Sequence, residues 1–167
     1  GKLGAPMVAA FASRGYKVIG VDSNSDFVRL INGGKPPVFE THLEDYLRKN
    51  KARISATTSF EEAVLNSDIT FIIVPTPSQK DNNFSMRNVV ASGEKIGQAL
   101  KKKKEFHLIV LTSTVTPSAT QEKLLPVLEK ESGKKCGADF GLCYNPEFIA
   151  LGDVIDDILN PDFVMVG

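Results

Sequence analysis

Apolar positions along the chain follow two rhythms in turn. A helical spacing over 6–13, with Pro6 suited to a first turn and Gly15 to the stop, gives way to KVIGVD at 17–22, a short apolar run that predicts a buried strand. A helix is predicted over 25–32, closed by Gly33-Gly34, then another over 43–49 and a weaker strand over 53–58. Ser59 and Glu62 stand in capping-box spacing at the head of a helix at 59–67. The run ITFIIV at 69–74 has branched and aromatic residues on both faces, as a strand covered on two sides requires. A long helix is predicted over 86–102, a strand over 107–112, a helix over 117–131, and last strands over 140–144 and 163–167.

Strands alternating with helices, and apolar on both faces, predict an α/β fold. Right-handed crossovers make it a doubly wound, mainly parallel Rossmann sheet. No internal repeat and no linker interrupts the pattern, so 1–167 reads as one domain. Composition agrees: hydrophobic residues are 42% and charged ones 24%, and a chain of 167 residues buries roughly 70% of its unfolded surface. Lys+Arg and Asp+Glu balance at 20 each, which argues against an electrostatic grip on nucleic acid or on an anionic membrane. No apolar run is long enough to span a bilayer. Cys136 and Cys143 suit neither a disulfide framework nor a metal site, so no metal is expected and the cytoplasm is the default compartment. The run KKKK at 101–104 reads as a solvated helix end, and His107 and Cys143 read as structural residues within strands.

In such a sheet ligands collect where strands end. Asp22 follows the first predicted strand, Pro75-Thr76-Pro77 the third, TSTV (112–115) the fourth and NPEF (145–148) the fifth. Taken singly, the prolines read as strand stops, Thr114 as a helix cap and Glu147 as a surface carboxylate. Four polar strand ends in succession favour a site instead.

The chain opens on GKLGAP. Gly1 and Gly4 have the spacing of the last two glycines of G-x-G-x-x-G, and Asp22 lies about 20 residues on, where an acid hydrogen-bonds a ribose hydroxyl. A carboxylate there repels a ribose phosphate, which favours NAD over NADP. The expectation is therefore a Rossmann domain trimmed at its N-terminus, with one glycine and one strand belonging ahead of Gly1.

Four stretches in fixed order carry a family resemblance: GKLGAPMVAAFASRGYKVIGVD, TTSFEEAVLNSDITFIIVPTPS, TSTVTPSATQEKLLPVLEKESG and NPEFIALGDVIDDILNPDFVMVG. Together they resemble the NAD-binding domain of UDP-glucose/GDP-mannose-type nucleotide-sugar dehydrogenases over essentially the whole chain. The resemblance implies NAD as cofactor, with Gly1, Lys2, Leu3 and Gly4 on its pyrophosphate and Asp22 on its adenosine ribose. It implies Val74, Pro75, Thr76 and Pro77 along the cofactor and Ser113, Thr114 and Val115 near the nicotinamide. Thr114 would help hold a catalytic water, and Glu147, Phe148, Ile149, Ala150 and Leu151 would meet a UDP-sugar. The implied activity is oxidation of the sugar's primary alcohol to a carboxylate, in two hydride transfers through a cysteine-bound intermediate, by a protein that is a homodimer in full.

The resemblance has departures. Neither Cys136 nor Cys143 matches the family's nucleophile, which with its assisting lysine and asparagine belongs to later segments, so residues 1–167 alone are expected to be inactive. Leu151 stands where some UDP-glucose oxidisers carry a second glutamate, Phe27 where a basic residue is frequent, and Thr41-His42 where Pro-Gly is frequent. Two other functions compete: a hydroxyacid dehydrogenase of the 6-phosphogluconate type, which lacks the VPTPS and NPEF stretches, and a stand-alone NAD-sensing module.

Overall fold

In the computed structural model, which describes residues 1–79, 83–150 and 152–167, the chain forms two compact units. The first comprises Gly1–Ser59 and Phe148–Phe163, the second Phe60–Glu147 and Val164–Gly167.

In the first unit the branched residues of β1 (Val18–Val21) pair in parallel with β2 (Ile54–Thr57), Val18 opposite Ile54 through Val21 opposite Thr57. Helix α1 (Gly4–Ser13) precedes β1 and stops where Gly15 takes φ +95°, a conformation that only glycine adopts without strain. Between the strands lie α2 (Ser25–Asn32), capped by the Asn24 side chain accepting from the Asp26 N–H, and α3 (Leu43–Lys49). Ala5, Ala9, Ala10, Ile31, Leu43, Leu47 and Ile155 form the core. Small alanines at i and i+4 or i+5 let α1 approach its neighbours closely. A doubly wound order places a strand ahead of the glycine turn beside β1. Among the described residues, β1 pairs with β2 alone.

The second unit has three parallel strands in the order β3 (Ile69–Ile72), β4 (His107–Leu111), β5 (Phe140–Tyr144). The helices are α4 (Phe60–Leu65), α5 (Arg87–Lys102) and α6 (Leu125–Ser132). Val89, Ile96 and Leu100 of α5 meet Ile109, Leu111, Leu124, Leu128 and Phe140 in the core. Gly93 and Gly97 form the close face of α5. A Cβ at 93 would lie 2.7 Å from Leu124 Cδ1, and one at 97 would lie 2.7 Å from Glu131 Cβ.

Three expectations need correction. The helix expected from 117 begins at Thr120, because Ser118 takes φ +66° and breaks the turn; its first stretch, Thr120–Leu124, is π-helical. Pro126 explains the wide turn, since it has no N–H for the carbonyl four residues back. Residues 163–167 are not a strand. Tyr144 and Gly167 exchange both N–H···O bonds, at 2.7 and 2.9 Å, which is one antiparallel pair, and Pro146 has no N–H with which to continue a ladder. Lys103, within KKKK, is buried: its Nζ donates to the carbonyls of Val64, Leu65 and Ser67 past the end of α4. Those orphan carbonyls at a helix C-terminus attract a cation. Finally, an unforeseen helix, α7 (Val154–Leu159), lies in the first unit and buries Val154 and Ile155.

Candidate functional site

The predicted site residues fall into a group in each unit. In the first, the turn Gly1–Gly4 opens α1. Leu3 at its N-cap makes no side-chain cap, and the first turn carries no acidic residue. Apart from the chain neighbours and the helix's own backbone, no heavy atom lies within 4 Å of where a Cβ would stand on Gly1 or Gly4. The turn is therefore an open cradle backed by a helix N-terminus, and Lys2 beside it is exposed. Asp22 follows β1 directly. Its Oδ2 lies 3.1 Å from the terminal ammonium of Gly1, and its Oδ1 accepts from the Asn24 N–H at 2.9 Å.

In the second unit the segments after β3 and β4 are tied together. The Ser113 hydroxyl donates to the Val74 carbonyl at 2.8 Å and accepts from the Val74 N–H at 2.8 Å. This exchange explains why β3 ends at Ile72, two residues before its apolar run does: a buried hydroxyl has replaced the ladder. Thr76 Oγ1 donates to the Thr114 carbonyl at 2.7 Å, and Asn88 holds the Pro75 carbonyl at 2.7 Å. Val74 and Val115 pack on the core; Pro75, Pro77 and Thr114 are exposed. Ser113 and Thr76 are thus fasteners of this edge, a role that their residue types alone do not reveal. The Thr112 hydroxyl is buried there without a partner among the described residues.

Glu147 follows β5 two residues beyond Asn145, whose N–H bonds the Leu111 carbonyl. It is half-buried, and desolvation pushes its carboxyl above the ordinary carboxylate range. No hydrogen bond links it to Thr114 among the described residues. Phe148, Ile149 and Ala150 continue in the first unit. The Phe148 ring stands 4.6 Å from Phe163, and the Ala150 N–H donates to Asp157 Oδ2 at 2.8 Å. Leu151 lies outside the described residues. Two open clefts, of about 310 and 260 Å³, lie elsewhere in the first unit, around residues 36–45 and around His42, Tyr46 and Gly152–Asp156. Sequence reasoning missed the buried Glu40, 8% exposed, which accepts from the N–H groups of Gly152 and Val154 at 3.1 and 3.0 Å. No local signal joins residues 112 positions apart.

Parallel strands, a glycine turn opening a helix, and an acid at the next strand end define a dinucleotide-binding domain of the Rossmann type. Residues 1–167 match, in full, the UDP-glucose/GDP-mannose dehydrogenase family, NAD binding domain, and the chain belongs to that family. It is 40% identical to GDP-mannose 6-dehydrogenase of Pseudomonas aeruginosa and 34% identical to UDP-glucose 6-dehydrogenase of Haloferax volcanii. All of this chain is covered in both cases, and 39% of each relative. It superposes on a solved ternary complex of the P. aeruginosa GDP-mannose dehydrogenase with a TM-score of 0.96, over 100% of this chain and 39% of that one. The TM-score is 0.92, at 34% identity and over 100% and 38%, for a UDP-glucose dehydrogenase from Pyrobaculum islandicum. The chain thus spans about two-fifths of the length of these relatives.

NAD, the cofactor of this family domain, fits the residues present. An open glycine cradle at a helix N-terminus suits a pyrophosphate, and a carboxylate suits ribose hydroxyls. Among the described residues, no helix is long and apolar enough to cross a membrane, and no cluster of His, Cys, Asp or Glu is placed to hold a metal ion.

Proposed function

We propose that this chain is the cofactor domain of an NAD-dependent nucleotide-sugar 6-dehydrogenase. The observation that carries the reading is an acid, Asp22, at the end of the strand that follows a glycine turn and its helix, in a chain that matches the family from end to end. Gly1, Lys2, Leu3 and Gly4 would take the pyrophosphate and Asp22 the ribose, while Val74–Pro77 and Ser113–Val115 would line the remainder. NAD, when bound, supplies the hydride acceptor. Glu147 is the general base, and desolvation raises its proton affinity above that of an ordinary carboxylate. Thr114, its carbonyl held by Thr76, would steady the water that adds to the oxidised sugar carbon. Phe148, Ile149 and Ala150 would meet the sugar nucleotide.

The P. aeruginosa relative named for GDP-mannose is 40% identical and the H. volcanii relative named for UDP-glucose 34%, so GDP-mannose is the first substrate to test and a UDP-sugar the second. We include in the proposal a cytoplasmic homodimer of the whole protein; both cysteines here are free, as a reducing compartment keeps them. The experiment is NADH production by the full-length protein with GDP-mannose, UDP-glucose and UDP-N-acetylmannosamine, counted per sugar consumed. Two NADH per sugar is expected. One would mean that oxidation stops at the aldehyde, and none with any sugar would favour an NAD-sensing module.

A further inference from the structure

Glu40 is an unusual residue to find buried. It is 8% exposed, and no lysine or arginine pairs with it among the described residues. Its two oxygens are instead spent on one stretch of backbone, with Oε2 accepting from Gly152 N–H at 3.1 Å and Oε1 from Val154 N–H at 3.0 Å. Charge-assisted bonds from backbone N–H groups are stronger than neutral ones and more exacting in direction. The turn they grip is held from its other side too, since the Ala150 N–H donates to Asp157 Oδ2 at 2.8 Å and the Asp153 N–H reaches the Ala150 carbonyl at 3.3 Å. Amides 150, 152 and 154 are therefore all claimed by carboxylates. Gly152 stands at φ +108°, where a side chain would be strained. Glu40 is itself set by a tight turn: the Leu43 N–H donates to its carbonyl at 3.2 Å, and His42 takes φ +60°.

This bend ends the segment Phe148–Ala150 assigned above to the sugar nucleotide. We propose that Glu40 is a positioning residue for that segment, fixing the backbone path of Phe148–Ala150 for a nucleotide-sugar substrate while touching neither substrate nor cofactor. The inference rests on the proposed function. It predicts an effect on the sugar nucleotide without a matching effect on NAD, because the glycine turn and Asp22 make no bond to Glu40.

The test uses the full-length protein and the variant Glu40→Gln, which keeps the size but exchanges one acceptor oxygen for an amide NH2 that an N–H cannot donate to. KM for GDP-mannose or UDP-glucose should rise about tenfold while KM for NAD stays within twofold, and the melting temperature should fall only modestly. Hydrogen exchange of a peptide spanning 148–156 should speed up at least tenfold, with exchange in β4 unchanged. Asp157→Asn, which loosens the same turn from a half-buried position, should shift the same two readouts by less and serves if Glu40→Gln does not fold. Faster exchange with an unaltered sugar KM would overturn the positioning role. Equal losses for sugar and NAD would reduce Glu40 to a purely structural residue, and unaltered exchange would overturn the anchoring itself. Wild-type protein inert to both sugars would defeat the functional reading and this inference with it, whereas a competent wild type with a normal Glu40→Gln defeats this inference alone.

Discussion

Acidification should destabilise the second unit through one side chain, His107. The residue is 0% exposed at the start of β4. Its Nε2 lies 2.8 Å from Thr70 Oγ1, and its buried Nδ1 has no close hydrogen-bond partner among the described residues. Burial above all, and then the positive charge of Lys103, lower its pKa from 6.5 to about 4; the Ser67 carbonyl and Asp68 oppose this less strongly. The sign follows from proton uptake. Between pH 6.5 and about 4 the unfolded chain binds a proton at this site and the folded chain does not, so stability falls as pH falls. The contribution is complete above pH 6.5 and is lost as pH falls to about 4. At about 1.4 kcal/mol for each tenfold step in proton affinity, the gap corresponds to roughly 3 kcal/mol. His107→Gln removes the titration and keeps a polar group toward Thr70. Unfolding of both proteins, followed by circular dichroism from pH 8 to 4, should show wild type losing about 3 kcal/mol more than the variant, most of it below pH 6. An NMR titration of His107 checks the premise. Parallel pH dependences, or a His107 titration near 6.5, would refute the reasoning.

Two further predictions concern the site. Asp22→Ala should weaken NAD binding by about 1–3 kcal/mol, through loss of charge-assisted hydrogen bonds to the ribose; unchanged affinity by calorimetry would remove Asp22 from the site. Glu147→Gln in the full-length protein should slow turnover with little change in NAD affinity. In wild type, kcat/KM should begin to fall on the acid side at a higher pH than an ordinary carboxylate would give, since the base must be ionised and its pKa is raised. A variant as fast as wild type would discard the role.

Much of the fold was legible because it rests on short-range rules. Helix α2 and helix α3 occupy the predicted residues, and strand β5 matches to the residue. Asp22 was legible for a related reason: a strand end and a glycine turn are both local patterns, and the spacing between them is set by one helix and one strand. Less was legible wherever a residue's role depends on a distant partner. Nothing near Ser113 in the chain announces that its hydroxyl bonds Val74, 39 positions away. Lys103 read as solvated because its neighbours are lysines, while its partners lie at the end of a different helix. The apolar run 163–167 has strand composition but only one paired residue, because pairing needs a neighbouring strand with N–H groups to offer, and Pro146 offers none.

The sequence by itself determined the alternation of helices and strands, their parallel pairing, the glycine turn with its acid, and the family to which the chain belongs. Each follows from periodicity, from backbone constraints at Gly and Pro, or from motifs ordered along the chain. Tertiary structure alone decided that Glu40 holds the turn before α7, that a hydroxyl ends β3, that His107 is kept neutral, and that Glu147 is desolvated. These depend on which polar groups are brought together away from water, and burial in three dimensions sets that, with no fixed interval along the chain to announce it.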